Sequence, residues 1–526
     1  MNEDQYRELC EACDRVLLAP DSTIERVAIP WLHVIREHPV FLTNYADLFE
    51  PITRVKAIGR QWFLGLRNKA AWSRQLGRAL RSDGQAWYEA RELPEQADVL
   101  FVSHLMNASH AGRADDFYFG KLPNELIAEG HSTAIALIKH FDEPSISLTE
   151  RWKNSIVPRV IISESLRLSD EIDLHRSLKK ESVLLKGMAQ KFTGLLQRVL
   201  VRASQEALSN SALTTLRMAK QIAILTAKLK PKVIVITHEG HAWERVVFAA
   251  ARSSIPEVQC IGYQHAALFR LQHAIRRNLS RQYNPDQIFT AGVVSKLQLE
   301  HTPTLKGVMI SVLGSNRSPK SSMIIKANNS SVNKKSQKII SPTCLVLPEG
   351  IMSECNLLFV FSLACARMFP KIKFIWRLHP LISYRSLVEK NSNLRTLPEN
   401  IVLSQGTLSE DFAKSYWALY RGTTTVVQSI MAGLRPIYLQ LPEELLIDPL
   451  YELEVWRTKV KNISELQQTI CQTVNTIEDL SESDLEVAQR YCMSFYLPPD
   501  VRVLTGLLTE NFSNAPALNK PTLLER

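Results

Sequence analysis

No apolar run in this 526-residue chain reaches the ~18–20 residues that a bilayer span needs. The longest candidate, Leu357 to Phe369, is shorter and carries Ser, Cys and Arg. Cysteine is also sparse: eight residues are scattered along the chain, and only Cys10 and Cys13 are close together. Their spacing fits one face of a helix, and neither a second CxxC nor a His cluster accompanies them, which argues against a zinc site or a redox pair. Scattered cysteines with apolar flanks point to a reducing compartment. The opening segment MNEDQYRELC is acidic and polar and does not read as a signal peptide, so the expected location is the cytoplasm. GxxxxGK[ST] and GxGxxG are missing, which disfavours NTPase and dinucleotide-binding readings. HExxH and GxSxG are missing too, which disfavours common zinc proteases and α/β-hydrolases. Asp115-Asp116 and Asp170-Glu171-Ile172-Asp173 do not follow strands as a metal-binding DxD would, so neither metal nor cofactor is expected. With no Lys/Arg block interleaved with aromatics and no finger or RNP-like motif, nucleic acid is not an expected partner.

What is present reads as globular. Hydrophobic residues make up 45% and charged residues 22%, and the length suffices for two or three domains with large cores. A formal charge of +10 suits an anionic partner. Residues 1–94 show Leu, Val, Ile and Trp at three- and four-residue spacing and read as a helical extension. Within it, Arg60, Trp62, Arg67, Lys69, Trp72, Arg74, Arg78 and Arg81 form a basic face, which is either simply solvated or suited to peripheral contact with an anionic membrane at its inner face.

From residue 95 the pattern alternates. Val99–His104, Ser132–His140, Val233–Thr237, Val258–Tyr263 and Gln287–Thr290 read as strands, with helices between them and a long helical insertion over Lys180–Lys230. This order predicts a parallel α/β domain over 95–315. Residues 316–341, rich in Ser, Asn and Lys, read as a linker or insertion. A second α/β domain is expected over 342–510 and a tail over 511–526. The predicted fold class is therefore α/β, with two tandem Rossmann-like domains and an N-terminal helical extension.

Ligands of open parallel sheets bind beyond the C-terminal ends of the strands, and that rule selects four loops. In the first, Thr237 to Arg245, Glu239 reads either as a general base, with His238 or His241 as alternatives, or as the cap of the following helix. In the second, Gln264 and His265 either reach the cleft or are structural; His104, ending an earlier strand, belongs with them as a cleft or acceptor residue. The third holds Glu349 and Gly350, the acid suited to a ribose or base and the glycine to close backbone approach. The fourth is a pair of segments. Phe374-Ile375-Trp376-Arg377-Leu378-His379-Pro380 delivers Arg377 and His379 from a strand. Tyr420-Arg421-Gly422-Thr423-Thr424-Thr425 opens a helix, with Gly422 and three hydroxyls facing the same point. Together they suit a phosphate group.

The RxHP strand end, the hydroxyl-rich turn, and the following Ala432-Gly433 and Pro436-Ile437-Tyr438-Leu439 resemble GT-B-fold glycosyltransferases of bacterial surface polysaccharide biosynthesis. Within that group they are similar to enzymes that use CMP-sugars or CDP-glycerol. The resemblance spans roughly residues 95–500. It implies that His379 and Thr423–Thr425 hold the donor phosphate and that His238-Glu239-Gly240 supplies the base, although in that family an acid precedes the acid-Gly pair where His238 stands here. The expected function is transfer of a sugar from a nucleotide-activated donor, with cytidine favoured, to a glycan or lipid-linked acceptor without a metal. Two alternatives stay open: a non-hydrolysing sugar-nucleotide epimerase, and a non-catalytic module of a polysaccharide assembly complex.

Overall fold

The computed structural model describes residues 1–50, 54–318, 342–380, 382–475 and 482–509. Most of the expected linker and all of the expected tail after residue 510 lie outside them, as do the side chains of residues 54–58, 60, 61 and 473–475.

Eight strands form the first sheet: β1 (Trp87–Glu89), β2 (Val99–Leu105), β3 (Thr133–Lys139), β4 (Arg159–Ile162), β5 (Val233–Thr237), β6 (Gln259–Gln264), β7 (Gln287–Thr290) and β8 (Met309–Val312), in the order β1-β4-β3-β2-β5-β6-β7-β8. All pairings are parallel except that of β1, which closes one edge antiparallel to β4. The second sheet is wholly parallel: β9 (Thr343–Leu347), β10 (Lys373–Trp376), β11 (Ile401–Leu403), β12 (Trp417–Tyr420), β13 (Arg435–Leu439) and β14 (Thr458–Val460), ordered β11-β10-β9-β12-β13-β14. The central strands β2, β5, β9 and β12 are buried almost throughout, as strands covered on both faces by helices must be. The fold is thus α/β with two Rossmann-like parallel-sheet domains.

The order in which successive strands are added reverses between β2 and β5 in the first sheet and between β9 and β12 in the second, although the strands stay parallel. These switch points are where the loops part and leave a crevice.

Three parts of the chain cross the expected domain limits, the first being β1, which lies in the expected helical extension yet pairs with β4 of the first sheet. The Arg502–Thr509 helix, expected in the second domain, instead packs into the core of the first through Leu504. The chain returns along Gly314, whose positive φ of 89° and lack of a side chain let Pro498 O come within 2.2 Å of where a Cβ would stand. The N-terminal fifty residues form a helical arm. Its Glu3–Leu17 helix buries Tyr6, Leu9, Cys10, Cys13 and Val16 in one cluster with Val199, Leu200 and Leu216, so both cysteines are core residues on one helix face. On the Arg54–Ala79 helix, Trp62, Phe63 and Leu66 are exposed, while Trp72 stacks on His175 at 4.1 Å. Among the described residues, no helix is long and apolar enough to cross a membrane.

Candidate functional site

After β5 the backbone turns sharply at Gly240, where φ is +88° and a Cβ would stand 2.3 Å from the carbonyl carbon of Ala274. No other residue fits there. The Ala242–Ser254 helix then begins, and Glu244 caps it. Its Oε2 accepts from the backbone N–H groups of Glu239, Gly240 and His241 at 3.0, 2.7 and 3.0 Å. Glu244 therefore closes the capping box at the His241 N–H and ties down the turn before it, and the carboxylate of Glu239 is left for another purpose.

The same Glu244 Oε2 lies 2.8 Å from Nδ1 of His238, which is fully buried and packs over Gly262, so that a Cβ at Gly262 would meet its ring at 2.9 Å. His238 is thus built into the cap. The reading of it as an alternative base does not match this placement, because the ring is fully buried and its Nδ1 is engaged by Glu244; burial also lowers its pKa, against the pull of Glu244.

Glu239 is almost completely buried and is surrounded by cations and imidazoles. Arg36 Nη2 donates to its Oε2 at 2.5 Å, His241 Nε2 lies 3.6 Å from that oxygen, and His265 Nε2 lies 3.9 Å from Oε1. Burial opposes ionisation of Glu239, but Arg36, His241 and His265 outweigh it and hold the carboxyl well below its ordinary range. Burial likewise opposes protonation of His241, and the Glu239 carboxylate reverses it, leaving that imidazole more basic than usual. His265 is pushed down to about 4, chiefly by burial. His104, at the end of β2, is pushed down to about 3 by burial and by His140, whose Nε2 is 2.9 Å from its Nδ1. The rings of Tyr118 and Trp243 stand edge-on to His104, and Tyr118 is also edge-on to His265, so the two histidines share an aromatic wall. Gln264 does not join them. Its amide folds back onto the carbonyl of Ala266 within its own loop.

On the second sheet, loops from three adjacent strands converge. A Cβ at Gly350 would stand 2.7 Å from His379 Cε1, and one at Gly422 would stand 2.7 Å from Glu349 Oε1. Both glycines let side chains from the neighbouring loops pack directly onto the backbone. Burial lowers the pKa of His379, with Glu349 pulling the other way. Thr423 is buried, and its Oγ1 accepts from the N–H of Thr425 at 3.3 Å. Thr424 precedes and Thr425 opens a helix that runs only to Met431. With two turns, its dipole contributes less than its hydroxyls.

Arg377 is not drawn into this cluster. Its Nη1 donates to Ser404 Oγ at 3.2 Å, to the Gly406 carbonyl at 3.0 Å and to the buried Asp411 carboxylate at 2.6 Å. The phosphate-clamp expectation overlooked this partner, which lies 34 residues away. Arg421 is similarly committed. It is buried, with Nε 2.8 Å from Glu354 and Nη2 2.5 Å from Glu444. His38, Glu349 and Glu354 could each direct a ligand atom to one point, all within 4.8 Å of one another. Arg421 already balances the charge of Glu354, however, and a cation would compete with it, so we assign no metal there.

Three residues that sequence reasoning missed come from the N-terminal arm. Arg36 reaches Glu239. Glu37 is fully buried and accepts from the Leu271 N–H at 2.7 Å. Nε2 of His38 lies 2.9 Å from Glu349 Oε1. One tripeptide thus touches the key carboxylate of each domain. A signal was available: Arg36-Glu37-His38-Pro39 has the same Arg-x-His-Pro spacing as Arg377-Leu378-His379-Pro380.

No family model matches the chain, and no curated protein is detectably similar to it. Solved structures do align over most of its length. A glycosyltransferase from Rickettsia africae has 13% identity and a TM-score of 0.46, covering 80% of this chain and all of the other. MurG from Acinetobacter baumannii has 11% identity and a TM-score of 0.43, with 78% and 99% covered. A UDP-GlcNAc 2-epimerase from Neisseria meningitidis has 12% identity and a TM-score of 0.40, with 78% and 100% covered. At these values the likenesses carry no argument about activity, which has to come from the site.

Proposed function

We propose that this chain is a glycosyltransferase acting on a nucleotide-activated sugar, with a glycan or lipid-linked molecule as acceptor. One observation carries the reading. A buried carboxylate flanked by imidazoles stands at the switch point of the first sheet, and a glycine- and hydroxyl-lined loop cluster stands at the switch point of the second, with one tripeptide joining the two. Such an arrangement suits group transfer between two bound molecules. Glu239 takes the proton of an acceptor hydroxyl as that oxygen bonds to the anomeric carbon. The bond from that carbon to the donor phosphate breaks, and the electron pair leaves with the phosphate. His379, Thr423–Thr425, Gly422 and Gly350 would hold that leaving group, with Glu349 toward the ribose. His104 and His265, with their aromatic wall, would face the acceptor. The exposed Trp62, Phe63 and Leu66 beside Arg67 and Lys69 suit an anionic bilayer carrying a lipid-linked acceptor.

The test is a thermal-shift panel of CMP, CDP, UMP, UDP, GDP and ADP on wild type and His379→Ala, followed by transfer assays with the nucleotide sugar so identified. A ligand of the folded state raises the melting temperature. We expect one nucleotide, with cytidine nucleotides the first candidates, to stabilise wild type and not His379→Ala. Glu239→Gln is expected to retain nucleotide binding and lose turnover at least hundredfold, the order attributed to a general base. Normal turnover by Glu239→Gln would remove the base. Conversion of the sugar nucleotide with no acceptor present would replace the transferase by an epimerase.

A further inference from the structure

We infer that Arg36 is a substrate-anion ligand: the guanidinium that holds Glu239 passes to a phosphate or carboxylate group of a bound substrate, and that exchange releases Glu239 for proton transfer. The second half of this inference rests on the reading of Glu239 as base.

The arm that delivers Arg36 is fastened rather than loosely applied. Tyr6 donates to the Leu271 carbonyl at 3.0 Å, His273 Nε2 lies 2.7 Å from Asp14, and Arg277 donates to the His33 carbonyl at 3.2 Å. Val34, two residues before Arg36, is a buried β-branched residue at φ 47°, ψ 65°. That conformation costs free energy and persists only where the surroundings impose it. Glu37 on the other side is locked by burial and by Leu271. The backbone is therefore held so that the side chain of residue 36 points at Glu239, and displacement of the whole arm is not the economical motion.

The side chain of Arg36 differs from its neighbours in commitment. Arg377 and Arg421 each face a buried carboxylate that would be stranded without them. The Arg36 side chain remains 32% exposed, and its carboxylate partner keeps a second basic neighbour in His241, 3.6 Å away and more basic than usual. It can change partner without leaving a bare buried charge.

Chemistry requires the change. A carboxylate held by a guanidinium at 2.5 Å is a poor proton acceptor, so the pair must loosen when the base works. A second anion is the natural replacement, because the planar fork of arginine fits phosphate or carboxylate oxygens. The position is right for a substrate group as well. Two residues on, His38 touches Glu349, which packs against Gly422.

The test is calorimetric titration of the full chain with inorganic pyrophosphate, with UDP and CDP in parallel. We expect Arg36→Met to bind pyrophosphate at least tenfold more weakly than wild type. Glu239→Gln, which removes the internal competitor, is expected to bind it at least threefold more tightly. The double variant should bind no better than Arg36→Met. Equal affinity of Arg36→Met and wild type would overturn the inference, and so would a Glu239→Gln variant that binds no tighter. Should Arg36→Met fail to fold, Arg36→Lys is expected to be intermediate, and the Glu239→Gln result still decides. An equal loss for UDP or CDP places the anion on the donor, and a loss for pyrophosphate alone places it on the second substrate. Because affinity is read without turnover, competition combined with normal turnover of Glu239→Gln would leave Arg36 as an anion ligand and remove only the base.

Discussion

Arg36-Glu37-His38-Pro39 and Arg377-Leu378-His379-Pro380 share their Arg-x-His-Pro spacing, and their histidines flank the same Glu349-Gly350 turn. Their arginines differ. Arg377 binds Asp411, Ser404 and Gly406 and so braces the β10–β11 edge. Arg36 crosses from an N-terminal arm to the carboxylate of Glu239. The same local pattern has been given a structural role in one place and a site role in the other. What separates them is the partner each meets, and neither partner is near in sequence.

That contrast can be broken by mutation, and stability shows it most strongly. Arg377→Ala strips the buried Asp411 of its guanidinium and should cost about 3 kcal/mol in chemical denaturation, whereas Arg36→Ala should cost less, about 1 kcal/mol, since the more basic His241 remains beside Glu239. Equal losses would mean that both arginines are structural. The histidines come next. His379→Ala should weaken nucleotide binding by about tenfold or more, as for loss of a charge-assisted or hydrogen-bonding contact to phosphate. His38→Ala should weaken it by only about threefold, through the looser Glu349. Reversal of that order would move the phosphate contact to the arm. A smaller effect is expected from Gly422→Ala. Its Cβ would meet Glu349 Oε1 at 2.7 Å, and because that is the end of a flexible side chain, the carboxylate swings off His38 for about 1 kcal/mol. A stability loss well above this would show that the loop cannot adjust.

A further effect is on pH dependence. His265 and His104 titrate at about 4 and about 3 in the folded chain, below their ordinary value of 6.5. Between those values and 6.5 the unfolded chain binds more protons, so stability is retained above pH 6.5 and falls as the pH drops toward 4. A decrease of a few degrees in melting temperature is expected across that window. His265→Gln should flatten the curve, and an unchanged slope would show that His265 does not contribute.

Much of the framework was legible because it is written locally. Val99–Leu105 and Val233–Thr237 are uninterrupted apolar runs, as strands covered on both faces must be, and the loops after them follow from the strand ends. The short strands Trp87–Glu89 and Thr458–Val460 were not legible, since three residues carry no usable period. Glu239 stood out as an acid after a strand, but Glu244, five residues on, had to be seen in place before capping could be assigned to it rather than to Glu239. Arg36 lies 203 residues from Glu239 and His38 lies 311 from Glu349, and no spacing rule reaches that far.

By itself, then, the sequence determined the α/β class, the alternation that makes two parallel sheets, and the loops from which a site had to be drawn, because apolar runs, glycines and strand ends act through near neighbours. Only the tertiary structure decided that Arg377 is braced by Asp411, that His238 belongs to a helix cap, and that a distant arm closes the site with Arg36 and His38. Those choices depend on which buried charge finds which partner, and burial and pairing exist only once the chain is folded.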